Sequence, residues 1–449
     1  DLAASHRVEQ IVTAATSAVR EAPNGRDFLQ TILDDLGMEV DLVSGPEEAR
    51  LIYLGVLSGM PFGDRPHLLL DIGGGSTELI LADGRDARAL TSTRVGAVRL
   101  QRDFVRDDPM PPQRRSFLQA FIQGSLEPAV DKVRRRIKPG ETPVLVATSG
   151  TAMAIGSLAA SEEERPPRKL HGYCVTRQSL NQVVDRLITM TPAQRRELAP
   201  INDRRAEIIV PGALILQTTM KMLGVEEFVL SERALREGLI VDWMLRQGLL
   251  EDRFSFQSSI RQRTVLHQVQ RFAVNQSRAE RVASHALSLY DATRGVMHDD
   301  SGEGRELLWA AAMLHTCGQH INISAYHKHT WYLIRHGELL GYSEAEHLMV
   351  AAIARYHRRS LPKKRHESWQ LVATRDNRRC VHQMALLLRL AAALDRRPEP
   401  VISALRIHAV KGSLDLEIVP ERVNQNVSLE QWSLEGCAEV VKEAVGVNL

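Results

Sequence analysis

The sequence predicts an α/β core in its first half, an all-helical segment after it, and a small α/β segment at its end. Three observations predict this. Asp71-Ile72-Gly73-Gly74-Gly75-Ser76-Thr77-Glu78 stands between two apolar runs, Leu68–Leu70 and Leu79–Leu81, and reads as strand, tight glycine turn, strand. Val144–Ala147 is an apolar run of strand length that enters Thr148-Ser149-Gly150-Thr151 and then a helix, the pattern of an α/β crossover. From Arg261 to Arg397 the pattern is helical almost throughout, and twelve of the sixteen histidines fall between His267 and His382.

In chain order, Val8–Arg20 and Gly25–Leu36 mix α and β character, and Met38–Val43 is a short strand. Pro46 and the acids Glu47 and Glu48 suit the first turn of a helix, where proline loses no hydrogen bond and negative charge meets the positive end of the dipole. The glycine turn follows, then a strand at Thr91–Val95 and a helix at Gln113–Ile137. After the Val144–Ala147 strand a helix covers Ala152–Leu158. Ser161–Lys169, with Pro166-Pro167, reads as an exposed loop. Gln178–Leu187 and Pro192–Leu198 are short helices, and Arg205–Gly224 is a long apolar one interrupted or entered at Pro211. Phe228–Leu230 is a strand, and Ser231 is placed to cap a helix at Ala234–Leu245. Beyond Pro398 and Pro400, strands at Val401–Val410 and Leu414–Val419 precede a helix near Leu429–Val445.

The chain has 449 residues, 44% of them hydrophobic and 25% charged, with a net charge of +2. This composition is that of a folded globular protein of two to four domains. So small a net charge implies no global attraction to polyanions, and any such affinity must come from local clusters. Cys174, Cys317, Cys380 and Cys437 are widely spaced and form no CxxC pair, which points to reduced thiols and a cytoplasmic setting. The apolar stretch Met384–Leu394 is broken by Arg389 and is too short to span a bilayer, so no membrane span is expected.

The glycine turn has two physical readings. It is a flexible hairpin turn, or it is a phosphate cradle whose glycines permit positive φ and remove the Cβ from a ligand's path. In the second reading the amides meet phosphate oxygens, Ser76 and Thr77 add hydroxyls, and the flanking Asp71 and Glu78 hold a cation. Ser149-Gly150-Thr151 at a helix start is a second anion site by the same logic, or an ordinary crossover. Glu48 is either a solvated first-turn glutamate or a carboxylate that orients water.

The motifs DIGGGSTE, preceded by SGPEEARL and followed by ATSGT and LSERALREGLI, resemble the exopolyphosphatase / guanosine pentaphosphate phosphohydrolase family. Ala14–Ala22, Ala312–His315, His327–His329 and Ala354–Arg359 extend the resemblance over nearly the whole chain. It implies an actin-like, ribonuclease H-like α/β phosphatase core with an incomplete N-terminal part, then an all-α HD-like domain and a small α/β C-terminal domain. The implied divisions are residues 1–50 and 51–248 for the two actin-like domains, 259–397 for the helical domain and 401–449 for the last. It implies Glu48 as the general base on water and Asp71 and Glu78 as Mg2+ holders. Gly73, Gly74, Gly75, Ser76 and Thr77 then form the second phosphate loop, Ser149, Gly150 and Thr151 the third, and Arg20 lines the entrance. A DxGSNS-like first loop does not occur before Asp71, which implies that this sequence begins partway through the family's first domain. The implied activity is hydrolysis of terminal phosphate from inorganic polyphosphate, or of guanosine pentaphosphate (pppGpp), or simple polyphosphate binding, with a second copy of the chain as partner. An actin-like kinase or chaperone ATPase lacks support from any adenosine-pocket motif.

In the helical half, His285, His315 and Asp395 match positions of metal-dependent HD phosphohydrolases, but Thr316 stands where an Asp is expected, so no catalytic metal is expected there. Both histidines also suit plain core positions. Arg355, Arg358, Arg359, Lys363, Lys364 and Arg365 form a run without an acid, which Lys328 extends. It is a solvated loop, or a lane that binds a polyphosphate chain as cations bind a nucleic-acid backbone. Nucleic acid is not expected as the partner, because no recognition helix or aromatic platform is visible and aromatic residues are 5% of the chain.

Overall fold

The computed structural model describes residues 5, 8, 10–60, 62–63, 65–105, 107–163, 167, 169–199, 201–247, 249, 260–299 and 302–449. Part of the expected loop at 161–169 therefore lies outside the described residues. The chain divides into two compact units, residues 1–259 and 260–449.

The first unit opens with β1 (Ala14–Ala15), α1 (Ser17–Glu21), α2 (Gly25–Leu36) and β2 (Asp41–Leu42), with β1 and β2 paired in parallel. The strand expected over Met38–Val43 is only two residues long, since its partner offers only Ala14 and Ala15 to pair with. Ser44 then caps α3 (Gly45–Gly59), accepting from the Glu47 amide.

The main sheet contains β3 (His67–Ile72), β4 (Thr77–Ala82), β5 (Ala87–Thr93), β6 (Val144–Thr148), β7 (Cys174–Thr176) and β8 (Glu227–Leu230), in the order β5-β4-β3-β6-β8-β7. β3, β6 and β8 are parallel to one another, while β4, β5 and β7 run antiparallel to their neighbours. Both faces are covered, so β3 and β4 are buried along their full length. Leu68, Leu70 and Ile72 join the core formed with the helices α5 (Pro112–Arg134), α6 (Ser149–Ser161) and α9 (Asp203–Leu223). By strand alternation Leu69 and Asp71 face the other way. Helix α3 packs against β4 and β5. The unit also contains α4 (Ala97–Phe104), α7 (Arg177–Thr189), α8 (Pro192–Arg196) and α10 (Leu235–Arg246).

Two expectations need correction here. Ser231 does not cap α10: its Oγ accepts from the Arg233 amide in a tight turn, and the helix starts one turn later, where the Ala234 amide donates to Glu237. Among the described residues helix α9, and not Met384–Leu394, is the stretch long and apolar enough to cross a membrane by length and composition. In this unit 67% of its apolar window is buried, and Ile209, Ala213 and Leu216 lie in the core.

The second unit holds α11 (Ile260–Arg271), α12 (Gln276–Ala292), α13 (Glu303–Leu314), α14 (Tyr326–His336), α15 (Glu344–Tyr356), α16 (Glu367–Gln370) and α17 (Arg375–Leu394). A short 3-10 turn, Cys317–His320, links α13 to α14. Helices α12, α13, α15 and α17 pack around one apolar core. The strands β9 (Ile402–Val410) and β10 (Ser413–Pro420) pair as an antiparallel hairpin, and α18 (Ser428–Val445) packs on α17.

Candidate active site

The hairpin register sets Asp71 opposite Glu78, and Glu78 opposite Ser92. On the other side of β3, Asp71 lies opposite Thr148 of β6. Ser92, Glu78, Asp71 and Thr148 thus form one row across four strands, all on one face. The carboxyl ends of β3 and β6 lie side by side, which brings the glycine turn beside Ser149-Gly150-Thr151 at the start of α6. Loops at adjacent carboxyl ends of parallel strands are where α/β sheets bind ligands.

The turn is built by close approach and not by left-handed backbone. None of Gly73, Gly74 and Gly75 has positive φ, contrary to the freedom expected of them. A Cβ on Gly75 would lie 2.6 Å from Ser17 Oγ. The Gly73 amide closes the turn onto the Ser76 carbonyl at 2.9 Å, and the Ala97 and Val98 amides donate to the Gly73 and Gly74 carbonyls, each at 3.0 Å. The amides of Gly74, Gly75 and Ser76 have no backbone acceptor among the described residues. They remain available to an anion. Thr77, by contrast, donates its hydroxyl to the Val95 carbonyl and is fully buried, so it fixes the turn.

Glu48, Asp71 and Glu78 are all buried. Glu48, in the first turn of α3, accepts from Arg20 Nη1 and Nη2, both at 3.3 Å. Burial raises the Glu48 carboxyl above its ordinary range, against the pull of Arg20 and Thr16. Burial, then the charge of Glu48, pushes Asp71 up to about 7. Burial, then the charges of Glu48 and Asp71, pushes Glu78 up to about 8, although Ser92 donates to it at 2.7 Å. Three carboxyls raised by burial, two of them also by a neighbouring acid, need a proton or a cation between them.

In the third loop, Ser149 has a left-handed φ of 78° and donates its hydroxyl to the Ile72 carbonyl at 3.0 Å, tying α6 to the end of β3. Sequence reading missed Arg205. Its guanidinium from α9 lies so close over Gly150 that a Cβ there would be 2.0 Å from Arg205 Nη2. Nothing in the motif marks it, since 55 residues separate the two (205 against 150) and the fold alone joins them.

The remaining expected residues lie in the second unit. Arg358 and Arg359 line a cavity, whereas Lys328, Lys363 and Lys364 are exposed. Burial, with the charges of Arg358, Arg355, Lys328 and Arg359, holds His327 down at about 4. Burial and the charges of Arg355, Arg365, Lys363 and Lys328 also lower His366, so these cations form one patch. His315 and Asp395 face a common cavity, but Asp395 accepts from Arg278 at 2.7 Å and Arg281 at 2.9 Å.

The Ppx/GppA phosphatase family model matches residues 1–247, and the model of Ppx/GppA phosphatase domain III matches residues 260–437. The crystal structure of the Aquifex aeolicus member of the Ppx/GppA family is 27% identical to this chain, with a TM-score of 0.47, over 55% of this chain and 78% of that one. The crystal structure of an exopolyphosphatase from Cytophaga hutchinsonii is 24% identical, with a TM-score of 0.50, over 56% of this chain and 78% of that one, which is a likeness of fold. With both family models matching in chain order over most of the sequence, the chain belongs to the Ppx/GppA phosphatase family and is a hydrolase of phosphoric anhydrides.

Proposed function

We propose that the chain is an exopolyphosphatase that removes terminal phosphate from inorganic polyphosphate with the help of a divalent cation. The observation that carries this reading is the row of buried, mutually repelling acids beside two phosphate loops. Asp71 and Glu78 would hold the cation, Mg2+ by the resemblance. The raised carboxyls fit it, because a bound cation offsets the burial and the repulsion that otherwise keep them protonated near neutral pH. Among the described residues no group of three or more His, Cys, Asp or Glu is gathered to hold a metal. Mg2+ takes one or two carboxylates and completes its shell with water and phosphate oxygens, so Asp71 and Glu78 would be enough to hold it. When bound, the cation would neutralise charge on the phosphoryl oxygens and the leaving group.

The protein's own groups do the rest. Glu48 takes a proton from the attacking water. The amides of Gly74, Gly75 and Ser76 and the start of α6 hold the phosphoryl oxygens. Arg205 adds a fixed positive charge over Gly150, and Arg20 keeps Glu48 in place. Residues 1–50 and 51–248 would be parts of two actin-like domains, 259–397 an HD-like domain and 401–449 a small α/β domain. The cationic patch of Lys328, Arg358, Arg359, Lys363 and Lys364 favours a long polyanion over pppGpp as substrate. The deciding test is phosphate release from long-chain polyphosphate, pppGpp and ATP, with Mg2+ and with EDTA, on this chain and on one extended upstream. Faster release from pppGpp than from polyphosphate, or release that persists in EDTA, overturns the reading.

A further inference from the structure

We propose that the helical unit carries a second ligand site, a cavity of about 1140 Å3 that binds a compact organic phosphate of nucleotide size. It does not rest on the catalytic reading above, since none of its walls belongs to the unit that holds Glu48, Asp71 and Glu78, although Arg358 and Arg359 also belong to the cationic patch.

The walls have two chemistries. Arg278, Arg358, Arg359, Arg389 and Arg396 line the cavity, and Asp395 is the one carboxylate among its lining residues. That carboxylate is already bound by Arg278 and by Arg281. His315 and His357 add no charge: each ring is held by a backbone carbonyl, Ala312 and Ala354 respectively, and burial lowers both pKa values. Arg389 donates to the carbonyls of Tyr356 and Arg359, at 3.2 and 2.7 Å, and its Nε is buried without a partner. Carbonyls orient a guanidinium but do not neutralise it. Arg359 has φ of 61°, a conformation that costs a non-glycine residue free energy and is tolerated where function requires it. Several guanidiniums gathered around one cavity repel each other unless an anion joins them. Arginine clusters of this kind bind phosphate by paired hydrogen bonds.

The second chemistry is apolar. Phe272, Val274, Val282, Ala392 and Trp432 line the same cavity, and Tyr326 does so beneath Arg358, whose guanidinium is 4.6 Å from the ring centroid. A bare phosphate chain makes no use of such walls. A phosphate ester carrying a flat ring uses both kinds, because aromatic faces stack on it while the arginines take its charge.

The test uses the full chain with Glu48→Gln, so that the probe is not consumed. GTP and ATP are the organic probes and tripolyphosphate the inorganic one, read by calorimetry and by the fluorescence of Trp432, with Trp432→Phe as the optical control. A nucleotide is expected to bind and to change Trp432 emission. Arg389→Ala should weaken that binding at least tenfold. Gly436→Trp should do the same by putting an indole into the cavity, and its Cβ meets nothing within 4 Å. If Arg389→Ala fails to fold, Gly436→Trp decides. Absence of nucleotide binding overturns the proposal. So does binding that Gly436→Trp leaves intact, or tripolyphosphate binding as tightly as the nucleotides, which would make the cavity part of an inorganic track.

Discussion

Glu48 owes its chemistry to its neighbours, since a first-turn glutamate in water would titrate in the ordinary carboxylate range. Buried beside Asp71 and Glu78, it is a better proton acceptor from water. Glu48→Gln should cut kcat by ~10²–10⁴ and leave KM nearly unchanged. Turnover within a few-fold of the parent in steady-state kinetics would remove the assignment. Arg205→Ala should raise KM for polyphosphate roughly ten- to hundredfold, the usual worth of a hydrogen bond to a charged group. An unchanged KM would show that Arg205 only packs on Gly150. The acids also set a pH dependence. Asp71 and Glu78 have folded pKa values of about 7 and 8, above their ordinary ones, so they hold protons in the folded state after the unfolded chain has lost them. Their contribution to stability is complete below about pH 4 and is lost as pH rises to about 8. In EDTA the melting temperature should fall across that window, and Asp71→Asn should flatten the fall. A metal-free melting profile that Asp71→Asn leaves unchanged would refute this.

At the scale of elements, α3 and α10 are brought together by two glycines and one ion triad. A Cβ on Gly238 would lie 1.8 Å from the Leu51 carbonyl oxygen, and one on Gly55 1.9 Å from that of Ala234, so the backbones touch. Beside this contact Arg50 is buried, bonded to Glu47 at 2.7 Å and to Asp242 at 2.5 Å. Removing one partner of a buried pair strands the other charge. Asp242→Ala leaves Arg50 its bonds to Glu47 and should cost about 1.5–3 kcal/mol in urea unfolding, whereas Arg50→Ala, which strands both acids, should cost about 3–5 kcal/mol; a loss under ~1 kcal/mol for Arg50→Ala would show that water already screens the triad. Most elements were readable from period and punctuation. Strand β3, helix α3 and the hairpin near Lys411-Gly412-Ser413 lie where apolar runs, Pro46 and the glycine place them. Ser231 misled because a serine before an apolar run fits a cap and a tight turn equally, and only the Glu237 bond to Ala234 separates the two.

At the scale of the whole molecule, the cations of the second unit are arranged by α14 and the chain after α15. Neutralising Arg358, Arg359, Lys363 and Lys364 together should weaken long-chain polyphosphate binding much more than tripolyphosphate binding. The dependence of affinity on salt should become shallower, because fewer counterions are released. Equal losses for short and long chains would leave the run as a solvated loop. The charges acting on His327 and His366 set Lys328 among the same cations.

The sequence by itself determined the α/β start, the helical second half, the glycine turn and the acids Glu48, Asp71 and Glu78, because period, turn chemistry and motif are local properties of the chain. The tertiary structure decided what depends on distant segments meeting. Strand register put Ser92, Glu78, Asp71 and Thr148 in one row, and burial within that row raised the acids. A helix crossing laid Arg205 over Gly150. Packing of α12, α14, α15, α17 and α18 left five arginines around one cavity. Burial and repulsion act through space, and no reading along the chain contains those distances.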